Sequence, residues 1–262
     1  MIKNKDVMDY LFSIPSDSID LIIADPPYFK TAKEEWDHQW KEEYEYLAWC
    51  QAWMKECERV LKPNRCIYVW GQVNNPKKHP NTFLRFKMMV DDKTSLKFQN
   101  WIIWSYDWGG RTNKTFARKH EDLLMWSKGK EFLFNSDEVR IPYKMKNNTY
   151  RSVNTNHPLG KIPTDVWEKN NLTVHKEHCS WHPTTKNITL LRRMIRANTK
   201  EGDVVMDLFS GSGSTTVAAI QEKRKHTGVE RDKDYYTKSL LRIEELTRWD
   251  EDTAKKTITK VR

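Results

Sequence analysis

Residues 204–223 read VVMDLFSGSGSTTVAAIQEK, and this stretch decides the fold class. The apolar run VVMDLF predicts a buried strand, and VAAIQEK predicts an apolar helix. Between them lies a turn of glycine and serine, in which the missing side chains allow the backbone to approach a ligand closely. A strand that enters a helix through a glycine turn is typical of a doubly wound α/β fold, although such a turn can also serve packing alone.

The turn does not match the phosphate-binding patterns of nucleotide folds. No lysine follows its last glycine, as a P-loop requires, and Thr216 stands where a dinucleotide fingerprint has its third glycine. A second predicted strand, HTGVE, ends at Glu230, from which a carboxylate can accept hydrogen bonds from ribose hydroxyls. These features favour a nucleoside ligand whose binding needs no phosphate contacts. They disfavour a dinucleotide oxidoreductase.

A second constellation stands near the start of the chain. Residues 18–24 predict a buried strand that delivers Asp25-Pro26-Pro27-Tyr28 to its carboxyl end. Paired prolines stiffen a loop, so that a carboxylate and the neighbouring carbonyls hold their positions. A rigid, acceptor-rich pocket beside an aromatic ring suits a planar amino group, whereas the tetrapeptide alone could also be a simple turn with an Asp cap.

The rest of the chain alternates between helix and strand periods. A helix is predicted over residues 42–61 and ends at Lys62-Pro63-Asn64, and the segment LLRRMIRA and a charged C-terminal segment predict two more helices. Strands are predicted over residues 65–70, 100–108 and 121–127. This alternation predicts a mostly parallel sheet with helices on both faces. From Asp137 to Cys179 no period is sustained.

Composition sets the class of protein. With 262 residues, 38% hydrophobic and 31% charged, we expect one soluble domain. The chain has no apolar run long enough to span a bilayer and no apolar leader, so we expect a cytoplasmic protein with no membrane partner. The net charge of +9 favours nucleic acid as a partner. The spacing of Cys50, Cys57, Cys66 and Cys179 argues against a structural metal and predicts reduced, mostly buried thiols.

These motifs together carry a resemblance to a known family. A strand ending in DPPY, a later strand ending in DxFxGSGxT, a His-Pro-x-x-Lys segment and a glutamate after the next strand occur here in one order. In this order they resemble the permuted β-group of DNA amino-methyltransferases of restriction-modification systems and phages, over nearly the whole chain. The resemblance implies a Rossmann-like S-adenosylmethionine-dependent methyltransferase fold with a circularly permuted motif order. It also implies a single domain over residues 1–262 with a small target-recognition insertion at about 137–180, and a homodimer is an expectation because members are often dimers.

The resemblance implies a role for each residue of the DPPY loop. Asp25 and the Pro26 carbonyl accept hydrogen bonds from the N6 amino group of adenine, Pro27 stiffens the loop, and Tyr28 stacks on the base. The lone pair of N6 is delocalised into the ring, and two acceptors on its protons favour the pyramidal amine of the transition state. No metal is required for this chemistry.

The resemblance also implies a cofactor site for S-adenosylmethionine. Glu230 binds the ribose, Asp6 lies near the adenine ring, and the methionine part is lined by the glycine turn and by the His-Pro segment. The remaining residues implied in the cofactor site are Asp207, Phe209, Gly211, Ser212, Gly213, Ser214, Thr215, His182 and Lys186. Two positions depart from the family pattern: Asn187 replaces the usual final proline of the His-Pro segment, and Ser214 replaces the commoner threonine.

Double-stranded DNA is the expected substrate, and the target base must be extruded from the duplex at a cost of about a few kcal/mol. Basic residues on two segments are candidates for phosphate and groove contacts, although a basic loop is usually only solvated. They are Arg111, Lys114, Arg118 and Lys119 in one loop, and Arg140, Lys144, Lys146 and Arg151 in the aperiodic segment. We also hypothesise that the insertion KEEWDHQW, residues 33–40, is a mobile lid over the flipped base.

Several alternatives stay open. N4-cytosine methylation uses the same scaffold, but the tetrapeptide of that group usually begins with serine, so Asp25 favours adenine. RNA adenine methyltransferases share the motif order but resemble DPPW, so Tyr28 and the short chain favour DNA. A catalytically silent subunit would be free to lose Asp25 or the glycine turn, and this chain keeps both. The motif His120-Glu121-Asp122-Leu123 also resembles the family, with capping in the core as the alternative.

Overall fold

The computed structural model describes residues 1–31, 33–72, 79, 81–106, 112–114, 116–143, 157–168 and 179–260, with side chains described as far as residue 248. The strands are β1 Ile2–Asn4, β2 Ile19–Ala24, β3 Leu61–Gly71, β4 Lys97–Ser105, β5 His120–Ser127, β6 Val166–Glu168, β7 Val204–Asp207 and β8 Lys225–Glu230. The α-helices are α1 Val7–Phe12, α2 Glu43–Val60, α3 Thr82–Lys93, α4 Ile188–Asn198, α5 Ser214–Gln221 and α6 Lys233–Lys260. Short 3-10 helices cover Glu35–His38 and Ser136–Val139.

These strands form one sheet in the order β1-β8-β7-β2-β3-β5-β4-β6. β5 runs antiparallel to its neighbours β3 and β4, and the other neighbouring pairs are parallel. The chain crosses the sheet in one direction from β2 to β3 and in the other from β7 to β8. The junction of β2 and β7 is therefore a topological switch point, and open α/β sheets bind ligands outside the carboxyl ends of the strands at such a point.

Helices cover both faces of the sheet. On one face, α2 and α3 pack the buried rings of Trp53 and Phe86 into a cluster with Ile22 of β2. On the opposite face, α4 packs Met194 into a cluster with Ile23, the next residue of the same strand. β2 is buried along its whole length because it is covered on both sides. The expected α/β class, with a mostly parallel sheet between two layers of helices, is confirmed.

Two predicted boundaries were wrong. Lys62-Pro63-Asn64 ends α2 as expected, but these residues belong to β3, which begins at Leu61 directly after the helix. The pairing of β2 with β3 shifts its register at this point, and Asn64 has a φ of 61°, so the proline lies at an irregularity rather than in a regular ladder. β4 ends at Ser105, earlier than the predicted end near Trp108, which lies outside the described residues.

Among the strands and α-helices, four were not predicted. β1, α1 and β6 contain three, six and three residues, too few for a periodic pattern to be recognised. α3 did carry a helical signal, because its buried Phe83, Phe86 and Val90 recur at helical spacing.

The four cysteines are free and buried, which confirms the prediction for the thiols. No helix among the described residues is long and apolar enough to cross a membrane.

Candidate active site

The DPPY loop and the glycine turn meet at the switch point. Asp207, the last residue of β7, is the register partner of Ile23 in β2. Asp25 follows the end of β2 directly. Because the two strands are parallel neighbours, both loops leave the sheet at the same edge, and residues from opposite ends of the chain line one site.

Hydrogen bonds hold the DPPY loop in one conformation. The main-chain N–H of Tyr28 donates to the buried carboxylate of Asp37 at 2.7 Å, and the hydroxyl of Tyr46 donates to the Pro27 carbonyl at 3.0 Å. The hydroxyl of Tyr28 donates to Oδ1 of Asp25 at 2.8 Å. Burial, and then the charge of Asp25, raises the pKa of Tyr28 well above its ordinary value. Tyr28 is therefore a neutral donor that fixes the Asp25 carboxylate relative to its own ring.

Lys186 connects the DPPY loop to β5. Its Nζ lies 3.0 Å from Oδ2 of Asp25 and 3.0 Å from Oε2 of Glu121. Burial of the ammonium would lower the pKa of Lys186, but the two carboxylates outweigh burial and raise it. Lys186 is therefore a fixed cation that contacts the Asp25 carboxylate, although the resemblance to the family implied a place for it at the cofactor.

Asp207 is a buried carboxyl at the carboxyl end of β7, with an exposed fraction of 5%. The main-chain N–H of Phe209 donates to its Oδ1 at 3.2 Å. Burial raises the pKa of Asp207 to about 7, and the charges of Asp25 and Glu230 act in the same direction. The group therefore changes its protonation state near neutral pH.

The glycine turn after β7 depends on two positive φ angles. Gly211 has a φ of 46° and Gly213, the N-cap of α5, has a φ of 78°. A Cβ at Gly211 would lie 2.6 Å from Nε2 of His182. The buried guanidinium of Arg242 donates from Nη1 to the Ser212 carbonyl at 2.7 Å and to Oγ of Ser214 at 3.2 Å. α6 therefore holds the turn in place through the side chain of Arg242.

The other side chains of the turn are mostly buried. Ser212, Ser214 and Thr215 are buried. The ring of Phe209 packs between Trp49 and Trp53, with ring centroids 5.8 and 5.7 Å apart. The half-buried ring of Phe209 thus packs against the core, and the turn presents mainly its backbone to a ligand.

Glu230 and Asp6 lie at the ends of neighbouring strands. Glu230 ends β8 and is the register partner of Asn4 in β1, and Asp6 follows as the N-cap of α1. The Glu230 carboxylate accepts hydrogen bonds from the main-chain N–H groups of Gly211 and Asp232, both at 2.8 Å. Burial raises the pKa of Glu230. The carboxylate is thus held directly beside the glycine turn.

An aromatic cluster surrounds His182. The His182 ring lies 6.3 Å from the Trp36 ring, with nearly parallel planes, and 4.9 Å from the Tyr235 ring. Burial, and then the charges of Lys186 and Arg242, lowers the pKa of His182 to about 4, so its imidazole is neutral near pH 7. The Trp36 ring also lies 5.6 Å from the Tyr235 ring, so the segment at 33–40, hypothesised to be a lid, contacts the His-Pro segment and α6 through Trp36.

The structure describes four of the eight basic residues expected at DNA. Lys114 is exposed, and Arg118 and Lys119 are half-buried, in the connection from β4 to β5. Arg140 donates from Nε to Asp137 at 2.6 Å and from Nη1 to the Gly160 carbonyl at 2.9 Å, so it also has a structural role. Arg111, Lys144, Lys146 and Arg151 lie outside the described residues.

Sequence reasoning missed three contributors to this site. Arg242 has no local signal that separates it from the other basic residues of α6. Asp37 and Tyr46 hold the DPPY loop, but only the folded chain shows that they reach it. Glu121 was noted as part of a motif. Its place as the second residue of β5 did not indicate its contact with Lys186.

The chain is similar to known proteins both in sequence and in fold. A family model described as DNA methylase, N6_N4_Mtase, matches residues 19–240. The chain is 33% identical to the type II methyltransferase M.HpaI of Haemophilus parainfluenzae over 240 residues, 89% of this chain and 71% of the relative. It is 32% identical to the DNA adenine methyltransferase YhdJ of Escherichia coli (strain K12) over 250 residues, 91% of this chain and 81% of the relative.

Solved structures share the fold at lower sequence identity. The cytosine-N4-specific PvuII DNA methyltransferase aligns with a TM-score of 0.73 at 19% identity, over 94% of this chain and 89% of that chain. The complex of M1.HpyAVI with SAM aligns with a TM-score of 0.61 at 20% identity, over 93% and 98% of the two chains. The family match spans most of the chain, and both of these relatives exceed 30% identity over about nine tenths of it. The chain therefore belongs to the N6/N4 family of DNA methylases.

Proposed function

We propose that this DNA methyltransferase transfers the methyl group of S-adenosylmethionine to N6 of an adenine that is extruded from duplex DNA at a specific site. The observation that carries the proposal is the junction of β2 and β7, where Asp25 and the glycine turn after Asp207 leave neighbouring parallel strands. The proposed acceptor of the amino group and the proposed binding site of the methyl donor therefore lie next to each other.

The residues around the glycine turn fit the cofactor S-adenosylmethionine. Gly211 has a φ of 46° and no side chain, so the backbone of the turn can approach the cofactor closely. The Glu230 carboxylate lies within hydrogen-bonding distance of that turn and can still accept from ribose hydroxyls. The buried Asp207 carboxyl suits a ligand that carries positive charge. When bound, the cofactor supplies an electrophilic methyl group, and the chain holds the amine that receives it.

Adenine is the base that the site favours. Asp25 provides a carboxylate rather than a hydroxyl at the start of the tetrapeptide, and Tyr28 lies beside it with its ring fixed. The relative YhdJ is a DNA adenine methyltransferase, which supports the same assignment. N4-cytosine is the second candidate, because the PvuII enzyme of this fold is cytosine-N4-specific.

DNA is proposed to approach the edge of the sheet that carries the site. The connection from β4 to β5 leaves that edge and contains Lys114, Arg118 and Lys119. Positive charge there attracts the DNA phosphates, and this attraction offsets the cost of unstacking a base. The segment at about 137–180 is proposed as the target-recognition insertion, and its described part adds β6 beside β4 at the margin of the sheet.

The test is transfer of labelled methyl from S-adenosylmethionine to unmethylated duplex DNA, with digestion of the product to nucleosides. Wild type is expected to place label in N6-methyladenine. Asp25→Ala is expected to lose transfer and to keep cofactor binding, whereas Asp9→Ala, which changes an exposed Asp on α1, keeps both.

Each other pattern of label contradicts a specific part of the proposal. Label in N4-methylcytosine would replace adenine by cytosine and leave the class of enzyme unchanged. Label in RNA but not in DNA would identify an RNA enzyme. Absence of transfer to either nucleic acid, with cofactor bound, would identify a silent subunit.

A further inference from the structure

Lys186 lies between two carboxylates that come from distant parts of the chain. Asp25 follows β2, Glu121 is the second residue of β5, and Lys186 immediately precedes Asn187, the N-cap of α4. Its Nζ is 3.0 Å from an oxygen of each carboxylate, so those two oxygens are at most about 6 Å apart. The three groups form one cluster, which we call the acceptor cluster.

The acceptor cluster carries excess negative charge in a mostly buried place. The Lys186 side chain is 11% exposed, and those of Asp25 and Glu121 are 22% and 23% exposed. The ammonium also lies 5.1 Å from the centre of the Trp70 ring. Two carboxylates around one ammonium have a net charge of −1, and water screens that charge weakly at such a site.

Methyl transfer to an amine moves positive charge toward this cluster. The bond from sulfur to the methyl carbon breaks and its electron pair stays on sulfur, while the amine lone pair forms the new bond to carbon. The sulfonium becomes a neutral thioether, and the nitrogen carries the positive charge until its proton leaves to Asp25 or to water. A net negative charge beside the nitrogen therefore stabilises the transition state more than the ground state.

Resting on the proposed function, we propose that Glu121 is a positioning residue of the methyl transfer, acting through Lys186. Glu121 fixes the ammonium that holds Asp25, and its charge leaves the cluster negative although Asp25 is paired. Without that charge, Lys186 would neutralise Asp25 alone, and the amine would meet an acceptor of lower charge. This assigns a role to Glu121, the first of the two acidic residues of the segment His120-Glu121-Asp122-Leu123.

The test compares Glu121→Gln with Glu121→Asp and with a matched control. Glutamine keeps the length and an oxygen for Lys186 but removes the charge, whereas aspartate keeps the charge. Glu222→Gln is the control, because Glu222 is a buried carboxylate paired with Arg192 and Arg196 away from the acceptor cluster. The readouts are the single-turnover rate of DNA methylation, the Kd for S-adenosylmethionine and the Tm.

For Glu121→Gln we expect the rate to fall roughly three- to tenfold, because the positive charge is already on the sulfonium in the ground state and moves only a few ångströms closer to Glu121, at an effective dielectric constant near 20. The Kd for the cofactor should change less than about twofold, since the lost charge acts mainly on the transition state. Glu121→Asp should recover part of the rate, and Glu222→Gln should lower the Tm without changing the rate.

A wild-type rate in Glu121→Gln would overturn the inference and leave the proposed function intact. Parallel losses of rate, cofactor affinity and Tm, without recovery in Glu121→Asp, would show a merely structural role and would also overturn it. If wild type itself transfers no methyl group to DNA, the proposed function fails, and the inference fails with it.

Discussion

Asp207 at the end of β7 lies opposite Ile23 of β2 in parallel register, two residues before Asp25. This relationship places a buried acid of the proposed cofactor site within electrostatic reach of Asp25, the proposed acceptor, and Asp25 contributes to the raised pKa of Asp207. The donor and acceptor halves of the proposed site are therefore coupled through charge as well as through geometry.

The first prediction concerns pH and cofactor affinity. The pKa of Asp207 is raised to about 7, so the group is mostly protonated at pH 6 and mostly ionised at pH 8. S-adenosylmethionine carries positive charge and favours the ionised form. The affinity should therefore rise by about tenfold from pH 6 to pH 8, as the ionised fraction does. Isothermal titration calorimetry at three pH values measures it.

Asp207→Asn is the control for this pH dependence. Its side chain does not titrate, whereas ionisation of the ligand is common to both proteins. A wild-type pH dependence equal to that of Asp207→Asn would show that Asp207 does not titrate in this range.

The second prediction concerns the glycine turn. Gly211→Ala introduces a Cβ at a φ of 46° and 2.6 Å from the His182 ring, so the ring must move. Gly202→Ala is the matched control, because Gly202 has a φ of 83° and nothing within 4 Å of the added Cβ. Each substitution should cost roughly 1 kcal/mol or more of folding free energy from the strained backbone. Only Gly211→Ala should weaken cofactor binding, by more than about tenfold, equivalent to 1.4 kcal/mol.

Urea unfolding and the cofactor Kd separate the two effects. Equal cofactor affinities in Gly211→Ala and Gly202→Ala would mean that the turn is not in contact with the cofactor.

The third prediction concerns Arg242. Arg242→Met would leave the Ser212 carbonyl without its buried donor. Loss of a hydrogen bond from a charged group to a buried acceptor costs about 2 to 3 kcal/mol. Arg248→Met, on the same helix, changes an exposed Arg paired with the exposed Glu244 and should cost less than about 1 kcal/mol. Chemical denaturation of both variants measures these costs, and similar values for the two would contradict a structural role of Arg242 at the turn.

The fourth prediction concerns Phe116, whose side chain is fully exposed between Lys114 and Arg118 in the connection from β4 to β5. Phe116 is five residues from Glu121, so its Cα lies within about 17 Å of the Glu121 Cα. An apolar ring at this edge can fill the space that an extruded base leaves in the duplex. Phe116→Ala should therefore slow methylation of duplex DNA by about tenfold or more, since unstacking costs a few kcal/mol.

The same variant should methylate adenine in single-stranded DNA, or opposite a mismatch, at close to the wild-type rate. Phe12→Ala is the control, because Phe12 is 65% exposed at the far end of α1, away from the strand ends that carry the site. An equal loss of rate on duplex and single strand would argue against an insertion role.

Much of the fold could be predicted because its signals are local. IDLIIA is buried on both faces of the sheet, and its unbroken apolar character shows this in the sequence. The helix α2 ends within one residue of the predicted position. The antiparallel direction of β5 was not predicted, because strand direction depends on the path of the connection and leaves no mark in the strand itself.

The sequence by itself determined the α/β class, the DPPY loop and the glycine turn, since apolar periodicity, prolines and glycines act on the residues beside them. Only the tertiary structure decided that Lys186 contacts Asp25 and Glu121, and that Arg242 supports the turn at Ser212. These contacts join residues far apart in the chain. They depend on strand order and register, which arise only when the whole sheet is assembled.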